Sequence, residues 1–306
     1  MKTVLKNIHS GIFGIVLFCL LLVVAGCRSE ESADQPKDTR DSGTIIISAD
    51  ESFKPVIDSH IKVFETDRPN VNIKVQYKPE ASCLEDLLVD SIRMVIIART
   101  ISPEEKQLVV DSLEVPVKQM IMAYDAVAVI VNPQQQEDKF TMEDIKQILT
   151  GKFKKNLIPV FDGLRATSTV NYIIDSVLRG DSLTNKAVAA NTSSEVVDYV
   201  ARTPEAIGFI GVSWIGNPED PQQQSFLTKV KLAMLQSRDD KNDFIRPWQA
   251  NIYAARYPML RKLVYILKET HDGLGHAFGD FMTRQRGQLI FKRAYLLPSR
   301  MTFNIR

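Results

Sequence analysis

The sequence predicts an α/β protein whose sheets are mostly parallel or mixed and flanked by helices, and three observations carry that reading. From Thr44 to the helix opened at Ser102, strand and helix patterns alternate as β-α-β-α-β-α. The chain has 306 residues, 44% hydrophobic and 25% charged, a globular composition at a length that favours two domains over one. An apolar run from Val115 to Val131 is longer than an ordinary strand and reads as a strand passing from one domain into the other.

The N-terminus is a separate signal. Lys2 and Lys6 precede an apolar run, Gly11 to Val24, that is too short and wrongly flanked for a transmembrane helix and fits a secretory signal. It closes on Leu22-Val23-Val24-Ala25-Gly26-Cys27, which resembles a bacterial lipobox, whose cysteine is acylated and becomes the new N-terminus. Residues 1–26 then read as a lipoprotein signal peptide and Cys27 as the lipidation site. Residues 27–43, mostly Ser, Asp, Glu, Lys and Arg without an apolar period, read as a flexible tether. The expected location is the cell envelope, lipid-anchored to a bacterial membrane, with the folded body in the periplasm or at the cell surface. Of the three cysteines, Cys19 leaves with the signal and Cys83 stands alone, so no disulfide framework is expected.

The folded body begins with a buried strand at Thr44-Ile45-Ile46-Ile47-Ser48. Ser52 is a candidate helix cap, and Phe53, Val56, Ile57, Ile61 and Phe64 repeat at helical spacing, with Pro55 tolerated in the first turn. Val71, Ile73, Val75 and Tyr77 alternate as a strand, and Ser82-Cys83-Leu84-Glu85 matches a capping box ahead of Leu87. Ile92 to Ala98 is a strand closed by Arg99, and Ser102-Pro103-Glu104-Glu105 opens a helix. Asp125, mid-way along the long apolar run, reads either as a hinge residue or as the partner of a base that crosses between lobes. A helix from Thr141 to Gly151 leads to Ile158–Phe161, a strand that gives way to a polar turn and then to a helix with apolar positions 170, 173, 174, 177 and 178. Three hydroxyls, Thr167, Ser168 and Thr169, stand at that helix start, where they cap free N–H groups or join them in holding an anion. Further along, Asn191 to Arg202 reads as a helix, Gly208 to Val212 as a buried strand and Pro218 to Gln224 as a polar loop. Lys229 to Leu235 and Leu263 to Leu267 read as strands, and Leu274 to Tyr295 as a helical segment interrupted at Gly287. The net charge of +1 gives no nucleic-acid footprint, so anion binding would rest on local dipoles.

The lipobox, the Ser52-Phe53 helix start, the Ser82 turn, Arg99 after a strand and the Thr167-Ser168-Thr169 turn stand in order and at fitting distances. Ala206-Ile207-Gly208-Phe209-Ile210-Gly211 and Gly287-Gln288 followed by Leu297-Pro298 continue the series. Together they resemble the PstS-like phosphate-binding proteins of bacterial ABC importers, over nearly everything from Thr44 to Arg306. The resemblance implies a two-lobed periplasmic-binding-protein fold of type II, with residues 44–124 and 257–306 forming the first lobe and 125–256 the second. It implies inorganic phosphate or a related oxyanion as ligand, ABC transporter permease subunits as partners, a monomer, no cofactor and no catalysis. Carried over by position, Ser52, Phe53 and Ser82 serve the ligand from the first lobe, and Thr167, Ser168 and Thr169 from the second. Hydroxyls with helix-start N–H groups suit a desolvated phosphate because they supply donors without bulk. Ser168 replaces the glycine usual in this turn. Arg93 stands where the family has an aspartate that accepts a phosphate proton and so rejects sulfate. The family's second-lobe arginine falls near Gly163, with Arg165 as a shifted substitute. Arg99 is either a ligand contact or the partner of a neighbouring carboxylate.

Two other classes compete. An enzyme would need a site that the sequence does not display: there is no P-loop and no nucleophile elbow, and His271 and His276 form a metal pattern without a nearby third ligand. Cys83 reads as buried core. Alternatively, Arg93 and Ser168 fit a surface or sensor lipoprotein that keeps the fold, has lost phosphate selectivity and binds another anion or a protein partner.

Overall fold

Strand–helix alternation holds in the computed structural model, which describes residues 38–163, 167–217 and 220–300. The signal sequence, Cys27, most of the tether and Arg165 lie outside the described residues. Strand β1 (Gly43–Asp50) runs through a 3-10 turn, Glu51–Phe53, into helix α1 (Lys54–Thr66). Then come β2 (Val71–Lys78), α2 (Glu80–Glu85), β3 (Ile92–Ile97) and α3 (Pro103–Leu113). The apolar positions of α1 that repeat at helical spacing are all buried, which is what fastens that helix to the sheet.

The long apolar run is one strand, β4 (Val117–Val131). After it the chain forms β5 (Lys139–Phe140), α4 (Met142–Thr150), β6 (Ile158–Phe161) and α5 (Ser168–Tyr172), whose helical path continues as a π-helix through Leu178. Next are β7 (Val188–Ala189), α6 (Ser193–Arg202), β8 (Ala206–Gly211) and α7 (Pro221–Lys229). Short strands β9 (Lys231–Leu232), β10 (Met234–Gln236) and β11 (Phe244–Ile245) precede α8 (Gln249–Tyr253). The chain closes with β12 (Leu260–Lys268), α9 (Leu274–Thr283), α10 (Gln285–Arg293) and β13 (Leu297–Pro298).

The main sheet is mixed, in the order β2-β1-β3-β12-β4-β8-β6-β7, with β13 and β9 also paired to β4. Strand β1 is parallel to β2 and β3, and β6 is parallel to β7 and β8. The antiparallel pairings are those of β12 with β3, and of β4 with β12, β8, β9 and β13. Strand β4 changes partner along its length: Val117 to Ala126 lies against β12, and Val127 to Val131 against β8. The β4 stretch around Asp125 is therefore where the two halves of the sheet meet, and ligands of α/β sheets bind beyond strand carboxyl ends at such switch points.

Five readings of the sequence change, the first being Lys229 to Leu235, which is the end of α7 followed by the short strands β9 and β10 and not one strand. Helix α1 is preceded by a turn capped by Asp50, not Ser52: the Asp50 carboxylate accepts from Ser52 N. Helix α2 opens at Glu80 after Pro79, so Ser82 lies inside it and does not cap it. Within the segment read as a polar loop, Asp220 caps α7 through Gln222 N and Gln223 N and Pro221 takes the first turn, which carries buried Phe226 inward. The break in the C-terminal helical segment falls at Arg284, while Gly287 sits within α10. A Cβ there would stand 2.3 Å from Phe281 O, so this glycine permits close packing of α10 on the end of α9.

Candidate functional site

The carboxyl end of β1, the middle of β4, the end of β6 and the inner face of β12 bring Asp50, Asp125, Asp162 and Arg261 into one buried polar cluster. Each is 6% exposed or less. Arg261 Nε donates to Asp125 Oδ2 at 2.7 Å, and Nη1 donates to Ser168 Oγ at 2.8 Å and Thr169 Oγ1 at 3.3 Å. The guanidinium also lies over Phe53, 4.9 Å from the ring centroid, a cation–π contact in a desolvated place. Its Nη2 is buried and has no hydrogen-bond partner among the described residues, as do Asp125 Oδ1 and Asp162 Oδ1.

Ser52 Oγ stands 3.3 Å from Asp162 Oδ2, to which it donates, and 3.2 Å from Ser168 Oγ. Ser193 at the start of α6 donates to the same Asp162 oxygen at 3.1 Å. Thr167 caps α5, its hydroxyl accepting from Val170 N at 3.3 Å. The Ser52 carbonyl accepts from Trp214 Nε1 at 2.9 Å and from Ser213 Oγ at 3.2 Å. Gly211 closes this floor: a Cβ there would meet Arg261 Nη2 at 2.8 Å. An open cleft of about 420 Å³ shares Glu51 and Trp214 with the cluster.

Electrostatically the cluster is acidic. Burial pushes the Asp50, Asp125 and Asp162 carboxyls up, and the Arg261 charge pulls each back. Burial works against the Arg261 charge, but the attraction of Asp125 and Asp50 outweighs it and holds the guanidinium protonated. Glu51 is pushed up to about 7 by burial and by repulsion from Asp162 and Asp50. Glu80, also raised by burial, accepts from Ala98 N and from Asn171 Nδ2, each at 3.0 Å, and so ties α2 to α5.

Of the residues singled out in the sequence, Ser52, Phe53, Thr167, Ser168 and Thr169 are gathered here. The others lie elsewhere or are not described. Ser82 is half-buried in α2. Arg99 pairs with Glu105 at 2.6 Å, the carboxylate alternative for that residue. Arg93 lies on β3 beside the level of Ile46 and Ile47, about 13 Å short of Asp50 at strand spacing, and faces Asp38 at 3.7 Å and Glu269 at 3.9 Å. Asp125 proves to be the partner of a base, Arg261, which the sequence reading missed. Only its antiparallel register, Arg261 against Asp125, brings the two side by side. Glu80 and Asp50 were missed as well, since a carboxylate beside a helix start reads as an ordinary cap. Near the histidine pair, Asp38, Glu269 and His271, without His276, have ligand atoms within 4.8 Å of one another. Those carboxylates are taken up by Leu274 N, Gly275 N and His276 N at the start of α9, and Arg93 stands against a cation there. Cys83 is buried, its thiol pushed up to about 12 by burial, as expected of a core cysteine.

A model of the PBP superfamily domain matches residues 34–286. The phosphate-binding protein PstS of Bacillus subtilis is 22% identical over 290 residues, covering 88% of this chain and 86% of its own. That of Borreliella burgdorferi is 21% identical over 262 residues, covering 80% and 86%. Among solved structures, a protein from Clostridium perfringens assigned as a phosphate ABC transporter substrate-binding protein, with bound phosphate, superposes with a TM-score of 0.70 at 21% identity. It covers 84% of this chain and 100% of that one. An ABC-type phosphate transport receptor from Vibrio cholerae gives 0.61 at 18% identity, with the same coverage. At such identities the structural likeness establishes the shared fold.

Proposed function

This chain belongs to the PBP superfamily, and on that premise we propose that it is a lipid-anchored solute-binding protein that captures inorganic phosphate and delivers it to the permease of an ABC importer. The observation that carries this reading is the meeting of two helix starts, their hydroxyls Ser52, Ser168 and Thr169, and one buried guanidinium with an unpartnered Nη2. The relatives named as phosphate-binding proteins support the choice of ligand. Chemistry supports it too. Unpartnered Arg261 Nη2 asks for an acceptor, and unpartnered Asp162 Oδ1 asks for a donor. A hydrogen phosphate offers both on one tetrahedral centre, whereas sulfate at neutral pH offers no proton. The lobes, residues 44–124 with 257–306 and residues 125–256, would hinge at β4 near Asp125. The lipid would sit on Cys27 and hold the body at a bacterial membrane. No helix among the described residues is long and apolar enough to cross one.

A second reading has its own observation: three buried aspartates face one arginine, and the hydroxyls are already hydrogen-bonded within the chain. Such a cluster also suits a surface or sensor lipoprotein that has given up phosphate. Calorimetric titration of the full chain in detergent with phosphate, sulfate and molybdate, after exhaustive dialysis against phosphate-free buffer, separates the two. The expected result is phosphate binding that is at least tenfold weaker in the Thr167→Ala, Ser168→Ala double variant. An absence of binding to all three anions rejects the importer reading in favour of the second.

A further inference from the structure

The Asp50 carboxylate joins two segments that meet at the buried cluster. Its Oδ1 accepts from Ser52 N at 2.8 Å, at the turn that opens α1. Its Oδ2 accepts from Ser168 N at 3.2 Å, at the start of the helical path that runs through Leu178. One carboxylate thus takes up helix-start N–H groups from two separate segments, the donors that an oxyanion would use. Asp50 is 1% exposed and cannot exchange these donors for water without the cluster opening. Beside it Arg261 Nη2 is buried and has no hydrogen-bond partner among the described residues.

We propose that Asp50 is an internal counterpart of the ligand, a carboxylate that occupies the helix-start amides in the empty site and must leave them, or lose its charge, before an oxyanion binds. This rests on the oxyanion reading above and adds a control to it. The ligand competes with a group tethered to β1, so affinity is set by how readily Asp50 gives way. Its charge state is governed by what faces it: Arg261 from β12, Asp162 from the end of β6, Glu51 beside it, and Glu80 and Cys83 from α2. Arg261 alone among these favours the charged form. Repulsion between an ionised Asp50 and an incoming anion at the same amides makes the block strongest at high pH and weakest where Asp50 is protonated. The same hydrogen bonds, with Ser52 to Ser168, would hold the two halves of the site together in the absence of ligand.

The test compares phosphate affinity of the full chain and of its Asp50→Ala form by calorimetry at pH 5, 6.5 and 8. Taking the ratio of the two at each pH cancels the titration of phosphate itself. The expected ratio favours Asp50→Ala by at least tenfold at pH 8 and is smaller at pH 5, because burial raises the Asp50 carboxyl. A ratio at or below one at pH 8 overturns the inference while leaving phosphate capture intact. No phosphate binding by either protein at any pH overturns both the inference and the importer reading. Should Asp50→Ala fail to melt cooperatively, Asp50→Asn, which keeps an acceptor and removes the charge, takes its place with the same order of affinities expected.

Discussion

At the scale of single residues, Arg261 is the cation on which the site depends. It neutralises part of the charge of three buried carboxyl groups and reaches two of the three hydroxyls of the α5 start, Ser168 and Thr169. Arg261→Ala should therefore cost about 3–5 kcal/mol in chemical denaturation, because it leaves buried acids without a counter-charge. Arg261→Lys should recover much of that stability but little of the anion affinity, since an ammonium cannot span Asp125 and Ser168 as the planar fork does. Equal phosphate affinity for the Lys variant and the parent in calorimetry would show that the fork geometry is not used. Gly211→Ala tests the surroundings of the same guanidinium: its Cβ would meet Arg261 Nη2 at 2.8 Å, so phosphate binding should weaken with only a small change in melting temperature.

At the scale of elements, helix starts and close-packed glycines set where the donors point. The helix α5 start is fixed by Thr167, and Thr167→Ala alone should lower stability by about 1 kcal/mol through loss of the cap. Strand β8 carries Gly208 because α6 lies directly on it. A Cβ there would stand 2.9 Å from both Val196 Cγ1 and Val200 Cγ2, and 2.8 Å from Ile130 Cγ1. Gly208→Val should therefore destabilise by about 1–3 kcal/mol, read as a lowered denaturation midpoint, and should shift Ser193 at the α6 start away from Asp162. Cooperative unfolding at the parental midpoint in that variant would mean that α6 can move aside freely.

At the scale of the whole molecule, burying so many carboxyl groups gives an unusual pH dependence. Glu51 binds its proton up to about pH 7, and Asp50, Asp125, Asp162 and Glu80 are also raised by burial. In that window these five groups hold more protons in the folded state than in the unfolded chain, so their contribution to stability falls as pH rises from the ordinary carboxyl range toward 7, against the single opposite contribution of buried His60, lowered to about 4. Thermal melting should accordingly give a higher midpoint at pH 5 than at pH 8, and Glu51→Gln should reduce the difference. A midpoint that rises from pH 5 to pH 8 would mean that these groups are ionised and paired in the fold. Anchoring is tested at the same scale: Cys27→Ala should move the chain from the membrane fraction to the soluble fraction on cell fractionation.

The sequence by itself determined the strands and helices from β1 to α3, the long β4 and the α5 start, because apolar period, caps and breakers act locally, among neighbours a few residues apart. It also brought forward the hydroxyls, since Thr167, Ser168 and Thr169 sit next to one another at a helix start. Only the tertiary structure decided the charges. Arg261 reaches Asp125 through an antiparallel register across 136 positions of chain, and Asp50 reaches Ser168 across 118. Local pattern carries no information about such pairings, which arise where strand ends from distant parts of the chain converge on one buried point where a charge without a counter-charge would be costly.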